Sequence, residues 1–179
     1  MTLYGKDLGY RPRESHTQLE QEIITMTETL SAAEYETVTI EVGSKADRVA
    51  TLTVDRPEAR NAMNETVRAD LTDALSLAED DPAVRTVVLT GSETSDAFVA
   101  GADLRDLQER SALEQREQSK RPRIYERIES ASVPVIARLN GYTLGGGCEL
   151  ALACDVRIAH EDAELGQPEI RFGILPGGG

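Results

Sequence analysis

The sequence predicts an α/β fold with largely parallel strands, and three observations support this prediction. Short runs of β-branched and aliphatic residues, typical of buried strands, recur from residue 38 onwards. The loops between these runs contain glycine or proline, and several of them open segments in which apolar residues have helical spacing. Strands that alternate with helices along a chain usually lie parallel in a sheet, with the helices packed against it. A chain of 179 residues is long enough to form one such domain with a sizeable core.

The N-terminal segment differs in character from the rest of the chain. Residues 1–37 are polar and charged, and only LEQEIITMTETL has weak helical periodicity. We therefore predict an extension that is loosely helical or disordered and lies outside the core. The globular domain is predicted over residues 38–179. It begins with VTIEVGSKADRVATLTVDRP, in which two alternating runs joined by Gly43 to Asp47 indicate a β-hairpin.

The central segments predict helices and strands in alternation. Asn64 is the expected cap of a helix over ETVRADLTDALSLAED, whose apolar residues recur at helical spacing: Val67, Leu71, Ala74, Leu75 and Ala78. RTVVLTG and VPVIARLNG are predicted to be buried strands. Between them lie the loop SETSDAFVAGADLRDL and a helix rich in Glu and Arg. The run GGG then opens a helix through Ala153, and DVRIAH is a third strand.

The charge of the chain limits the partners that it can bind. Asp and Glu number 32 against 19 Lys and Arg, which gives a formal net charge of −13. So acidic a surface disfavours nucleic acid and anionic membranes as partners. Nearly all the cationic side chains are arginine. This composition also suggests a protein adapted to concentrated salt, which screens the repulsion between carboxylates.

No pattern in the sequence indicates export or metal binding. There is no N-terminal apolar segment typical of a signal peptide and no apolar run of about twenty residues, so we expect a cytoplasmic protein. Cys148 and Cys154 form no CxxC pair, and the histidines are His16 and His160. We interpret both cysteines as small buried thiols and predict no metal site.

Two turns that contain glycine, FVAGADLRDL and NGYTLGGGCEL, follow predicted strands and open predicted helices. The first N–H groups of a helix have no partner within it and lie at the positive end of its dipole, so each turn can bind an anion or a developing oxyanion. Two such turns that converge on one oxygen form an oxyanion hole. The alternatives are a tight turn capped by Asp103 for AGAD and close packing of a helix on a strand for GGG.

Two acids, Glu149 and Glu169, are candidates for acid–base chemistry. Glu149 lies in the first turn of an apolar helix, where the dipole favours an acid but burial makes an unpaired carboxylate costly. This cost favours a functional explanation. Glu169 follows Pro168, and by itself it is typical of a loop acid that points to water. Together the two offer carboxyl groups whose burial and mutual repulsion can keep one protonated near neutral pH.

These motifs together resemble the enoyl-CoA hydratase/isomerase (crotonase) family. The resemblance runs from about Val38 to Gly179 and rests on DRPEARNAMN, FVAGADLRDL, NGYTLGGGCELALACDVRIA and GQPEIRFGILPGGG, in that order. It implies a spiral core of repeated ββα units that binds an acyl-CoA thioester. Coenzyme A is then part of the substrate, and no cofactor or metal is expected.

The resemblance also implies roles for individual residues. The N–H groups of Ala102 and Gly146 are expected to hold the thioester oxygen. Glu149 is expected to activate the water that attacks C3, and Glu169 to deliver a proton to C2. The expected acyl-CoA contacts, with Arg60 and Arg105 as phosphate partners, are Glu58, Ala59, Arg60, Ala100, Ala102, Asp103, Leu104, Arg105, Gly145 and Gly146. Because both acids are present, hydration of a 2-enoyl-CoA is favoured over isomerisation or thioester hydrolysis.

Members of the family usually continue well beyond PGGG. The expected difference is a missing C-terminal helical region, which in the family helps to close the acyl pocket and to build trimers or hexamers. Either the sequence is a fragment or the gene is truncated, and in the second case apolar surface around LALAC and FGIL is expected to lie uncovered. A non-catalytic remnant that binds acyl-CoA, or that associates with a longer relative, stays an alternative. A dinucleotide-binding domain is disfavoured because GYTLGGG lacks the GxGxxG spacing.

Overall fold

Two sheets form the framework of the computed structural model, which describes residues 30, 32–44, 47–109, 111 and 123–177. The five-stranded sheet contains, in spatial order, β1 (Val38–Val42), β2 (Val49–Val54), β3 (Thr86–Gly91), β5 (Val135–Leu139) and β7 (Val156–Ala159). The three-stranded sheet contains β4 (Ala97–Val99), β6 (Tyr142–Leu144) and β8 (Leu165–Gly166). Within the described sheets, β1 and β2 pair antiparallel, as predicted, and the other pairs are parallel.

The helices follow the sequence signals closely. The described segments include α1 (Glu65–Asp80), α2 (Leu104–Glu109), α3 (Ile124–Glu129), α4 (Gly146–Ala153) and the 3-10 helices Pro57–Ala59 and Pro168–Phe172. The side chain of Asn64 caps α1 by accepting a hydrogen bond from Val67 N at 2.9 Å. All five apolar residues predicted for the core face of α1 are buried. Part of the predicted Glu- and Arg-rich helix, residues 112–122, lies outside the described residues.

The chain alternates between the two sheets in a repeated order. β3 leads to β4 and α2, β5 leads to β6 and α4, and β7 leads to β8 and the second 3-10 helix. In each unit the first strand joins the larger sheet and the second joins the smaller one. This arrangement confirms the predicted α/β fold of ββα units. Because β4, β6 and β8 are parallel, the loops that follow them meet at one edge of the smaller sheet.

The hydrophobic core lies where α1 and α3 pack against the larger sheet. Its side chains leave a void of only about 10 Å³, roughly one water-sized sphere, lined by Leu52, Leu71, Leu75, Val87, Leu89, Ile124, Ile128 and Val135. Close packing of this kind fixes α3 relative to the strands. It therefore also fixes the direction from which α3 approaches the smaller sheet.

The core begins earlier in the chain than predicted. Leu30 is 2% exposed and belongs to the core cluster, so the expectation that all of residues 1–37 lie outside the core is wrong at this position. Thr37 and Tyr35 donate hydrogen bonds to Asp70 and Asp73 of α1, at 2.7 and 2.8 Å. A single leucine in a polar segment has no periodicity, which is why no sequence pattern indicates its burial. Residues 1–29 lie outside the described residues.

Apolar side chains are exposed near the end of the described chain. Phe172 is 64% exposed and Leu175 is 86% exposed. Leu152 on α4 and Val156 and Ile158 on β7 are also exposed. Leu152 belongs to LALAC, and Phe172 and Leu175 belong to FGIL, the two segments in which exposed apolar side chains were expected. None of the helices within the described ranges has the length and apolar composition needed to cross a membrane.

Candidate active site

The loop after β4 turns the N–H group of Ala102 away from the segment that contains Met63. Ala102 forms an isolated parallel bridge with Met63. Met63 N donates to Gly101 O at 2.8 Å, and Asp103 N donates to Met63 O at 3.0 Å. Because this bridge uses the groups on either side of Ala102, the N–H of Ala102 itself faces the opposite direction.

The loop after β6 brings the start of α4 to the same place. Gly145 precedes the helix with φ of 50°, a left-handed value that favours glycine. A Cβ atom on Gly146 would lie 3.7 Å from Ala102 N, 3.0 Å from Tyr125 Oη and 2.9 Å from Met63 Cε. Gly146 is the first residue of α4, so its N–H lacks a partner within the helix. The two predicted turns therefore converge, which is the arrangement that an oxyanion hole requires.

Close packing also explains the glycine run. A Cβ atom on Gly147 would lie 1.9 Å from Val99 O, so the backbone of α4 lies directly against β4. The packing alternative for GGG therefore describes the contact made by Gly147. It does not compete with a role for Gly146, because the two residues face different neighbours.

Both candidate acids lie next to Gly145, Glu149 through its backbone and Glu169 through its side chain. Glu149 is 6% exposed, in the first turn of α4, where its N–H donates to Gly145 O at 3.0 Å. Glu169, half-buried in the second 3-10 helix, has Oε1 only 2.7 Å from the position that a Cβ on Gly145 would take. The hydrogen-bond network assigns the Gln167 amide with its nitrogen towards Glu169, where it donates to Oε2 at 3.0 Å. Glu169 is therefore held within the site, and the loop acid in open water is not what the structure shows.

Two neighbouring side chains respond to both carboxylates. Burial, followed by the charge of Glu149 and a smaller contribution from Glu169, raises the pKa of Tyr125 to about 12. The pKa of the Cys148 thiol is also raised, first by burial and then by Glu149 and Glu169. Burial is the largest cause for both groups, and the charges of the two acids add to it. The thiol of Cys148 is disfavoured as a nucleophile because only the thiolate attacks.

Asp103 is engaged within the protein. Its Oδ1 accepts a hydrogen bond from Arg105 N at 3.0 Å, and its Oδ2 pairs with Arg56 at 3.2 Å. Burial raises the pKa of Asp103, but these hydrogen bonds and the charge of Arg56 together lower it below its usual value. The tight-turn description of AGAD therefore holds for Asp103. The side chains of Leu104 and Arg105 are exposed at the start of α2.

The PEARNA loop lies beside the chain that enters the Ala102 turn. Ala100 N donates to Arg60 O at 3.1 Å, which joins the two segments. The guanidinium of Arg60 pairs with Asp96 at 3.3 Å and lies 5.4 Å from the centre of the Tyr142 ring. Glu58 is exposed and forms an ion pair with Arg56, and Ala59 ends the first 3-10 helix.

No sequence pattern indicated the buried role of Asn61. Its side-chain nitrogen donates to Ala97 O at 2.8 Å and to Phe98 O at 3.2 Å, and its oxygen accepts from Arg56 N at 2.9 Å. These bonds fasten the PEARNA loop to β4. Asparagine in a polar loop is expected at the surface, so its complete burial follows only from the tertiary structure. Tyr125 and Gln167 likewise reach the site only through tertiary contacts.

The cysteines are free thiols; Cys154 is buried as predicted, whereas the prediction is wrong for Cys148, which is only half-buried. Within the described parts of the chain, no group of three or more His, Cys, Asp or Glu side chains is arranged to hold a metal ion.

Comparison with known proteins places the chain in a family. The sequence profile of the enoyl-CoA hydratase/isomerase family matches residues 44–179. The chain belongs to this family. The chain is 44% identical over 146 residues to a crotonyl-CoA hydratase of Syntrophomonas wolfei, and the match covers 81% of this chain and 55% of that protein. It is 43% identical over 136 residues to a 2,3-dehydroadipyl-CoA hydratase of Escherichia coli, covering 76% of this chain and 52% of that protein.

Solved structures agree with the family assignment. The chain superposes on an enoyl-CoA hydratase from Bacillus anthracis with a TM-score of 0.72 and 32% identity, over 80% of this chain and 55% of that one. The chain spans about half the length of the curated relatives that it matches. The β4–α2 and β6–α4 loops, which carry the candidate site, lie inside the matched residues.

Proposed function

We propose that the protein is an enoyl-CoA hydratase, which adds water across the 2,3 double bond of a 2-enoyl-CoA thioester. The single observation that supports this proposal best is that the Ala102 and Gly146 turns meet, with Glu169 Oε1 beside Gly145 and Glu149 buried in the first turn of α4. Hydration requires a base for water, an acid for carbon and an oxyanion site for the thioester, and these four residues match those requirements. The hydratase names of the relatives are consistent with it.

The two turns supply electrostatic stabilisation in this mechanism. The N–H groups of Ala102 and Gly146 donate to the thioester carbonyl oxygen as negative charge develops on it. One such donor contributes roughly 2.7–4 kcal/mol to the transition state. Because both donors are backbone groups fixed by β4 and α4, little reorganisation is needed when the charge appears.

The two carboxyl groups divide the proton transfers. Glu149 accepts a proton from water as the water oxygen bonds to C3, and the electrons of the double bond move into the thioester to give an enolate. Glu169 then donates a proton to C2, which restores the carbonyl. One water is added in total, and proton exchange with solvent resets the two acids.

The expected acyl-CoA contacts extend from this centre along the PEARNA loop and the start of α2. Arg60 and Arg105 are the proposed phosphate partners, since both have exposed guanidinium groups on an otherwise acidic chain. Arg60 is paired with Asp96, so a phosphate would have to compete with that carboxylate. Glu58 and Ala59 would lie beside the coenzyme, and Leu104 would contact the acyl group or its linker.

The conjugated-enoyl absorbance of a short 2-enoyl-CoA provides the test. The wild-type chain should remove this absorbance, and Glu149→Gln and Glu169→Gln should each lower kcat by about 10²- to 10⁴-fold while CoA binding persists. Glu161→Gln, an exposed acid in the loop before β8, is the matched control and should retain activity. Turnover that survives both site substitutions would refute the mechanism. Binding without turnover in the wild type would instead favour a non-catalytic acyl-CoA-binding protein.

We also propose that the protein works in the cytoplasm at high salt concentration. Exposed carboxylates such as Glu58 and Asp162 contribute to the net charge of −13, whose self-repulsion salt screens. The free energy of unfolding should rise steeply between dilute buffer and molar salt. Full stability in dilute buffer would contradict the proposal.

Sedimentation under the same conditions tests whether the chain forms the trimers or hexamers expected from the family resemblance.

A further inference from the structure

Tyr125 places a polar group in the candidate site for which the mechanism above has no use. Its Oη lies 3.0 Å from the position that a Cβ on Gly146 would take, and Ala102 N lies 3.7 Å from that same position. The residue is 8% exposed, on α3, which the core holds against α1. A phenol so deeply buried normally has a hydrogen-bond partner, because leaving its hydroxyl unpaired is costly.

The charged groups around Tyr125 come from several elements. Glu149 on α4 and Glu169 in the second 3-10 helix are the acids that act on it, and Arg68 on α1 and Arg123 before α3 are the cations. Glu149 lies three residues after Gly146 on α4, so its side chain leaves the helix on the same face as the Gly146 Cβ position that Tyr125 Oη approaches. The pKa of about 12 keeps the hydroxyl protonated around neutral pH. A protonated phenol can donate to a carboxylate, which only accepts when ionised.

We propose that Tyr125 is a positioning residue for the base of the reaction. Its O–H donates a hydrogen bond, directly or through one water, to the carboxylate of Glu149, and so keeps that carboxylate turned towards the point where the Ala102 and Gly146 turns meet. This role rests on the proposed hydratase function and deepens it. Without the bond, the carboxylate retains its charge but loses a fixed orientation towards the attacking water.

The alternative is that Tyr125 only fills space beside Gly146 and Met63. Tyr125→Phe separates the two roles, because it keeps the ring and removes only the hydroxyl. Tyr35→Phe is the matched control, since it removes a phenol that donates to Asp73 at 2.8 Å on the exposed side of α1. A packing role predicts the same kinetics for wild type and Tyr125→Phe. The positioning role predicts a change in kcat with little change in KM.

The kinetic measurement uses the full chain in molar salt with a short 2-enoyl-CoA. Tyr125→Phe should lower kcat about 10- to 100-fold, the effect of a small misplacement of a catalytic group, and leave KM within about two-fold. Tyr35→Phe should match wild type. An unchanged kcat for Tyr125→Phe in an active wild-type background would overturn the proposal.

A second measurement does not depend on turnover. The ¹³Cζ resonance of Tyr125, assigned by its loss in Tyr125→Phe, should move when Glu149 is replaced by Gln and stay in place when Glu161 is replaced by Gln. No movement with Glu149→Gln would overturn the proposed bond whether or not the chain is active. If the resonance moves while the wild type fails to hydrate enoyl-CoA, the contact stands and the proposed function fails.

Discussion

Replacing Gly147 by alanine tests whether the start of α4 lies against β4 as described. The new Cβ atom would lie 1.9 Å from Val99 O, whereas real Cβ contacts essentially never fall below 3.0 Å. Either α4 or β4 must therefore move by about 1 Å. Overpacking typically costs 1–3 kcal/mol. Because the obstacle is a backbone carbonyl and not a flexible side chain, we expect the upper end, about 3 kcal/mol, out of a total stability of about 5–15 kcal/mol for an ordinary domain.

Urea unfolding in molar salt measures this loss for Gly147→Ala. Gly166→Ala, in strand β8 of the same smaller sheet, is the matched control. Its Cβ would lie 3.8 Å from Leu144 Cδ2, which is an ordinary contact. The control should stay within about 0.5 kcal/mol of wild type. The same 1 Å movement should also displace the N–H of Gly146 and lower any hydratase activity about 100-fold. If both variants unfold at the same urea concentration as wild type, the packing of α4 on β4 is wrong.

Three further predictions concern stability and association. Asn61→Ala should lower the free energy of unfolding by about 2–4 kcal/mol, because two β4 carbonyls lose their donor; a loss below about 1 kcal/mol would contradict this. Burial raises the pKa of Glu79, but bonds from Ser132 and Arg127 lower it more, so its net pKa is below 4.5. Glu79 therefore contributes about 1 kcal/mol to the free energy of unfolding above pH 4.5, and this contribution is lost as the pH falls through the lower pKa of the folded state. On acidification, Glu79→Gln should lose correspondingly less of its free energy of unfolding than wild type. An equal loss in the two proteins would refute the assignment. Phe172→Ser should reduce light scattering without changing stability by more than about 0.5 kcal/mol; unchanged scattering would exclude Phe172 as a cause of association.

The longer elements of the fold were predictable because each carries a local physical signal. The alternating runs on either side of Gly43 gave the β1–β2 hairpin, and helical spacing together with the Asn64 cap gave α1. The strands of the smaller sheet carry no such signal. β4 and β6 have three residues each and β8 has two, too few to show an alternating pattern, so their sequences were interpreted as loops or helix starts. Their pairing depends on contacts between distant parts of the chain.

In the candidate site, too, the features with a local sequence signal were predictable and those that depend on distant contacts were not. The two turns and Glu149 were identifiable because glycine ahead of a helix exposes N–H groups and because an acid is costly in an apolar helix. The convergence of the turns was not available from local patterns, since it depends on the pairing of β4 with β6. Tyr125 was less accessible still, because α3 belongs to a segment whose sequence indicates only a charged helix. Its approach to Gly146 is set by the core packing of its apolar neighbours.

The repeat explains why residues so far apart in sequence form one site. No fixed sequence period is present, yet each ββα unit delivers one part of the site from the loop after its short strand. Ala102 follows β4, Gly146 and Glu149 follow β6, and Glu169 follows β8. Parallel pairing aligns the carboxyl ends of the short strands, so backbone hydrogen bonds bring the three loops to one edge. The register of the smaller sheet therefore sets how these loops lie relative to one another, and a change that shifts this register should disrupt all three parts at once.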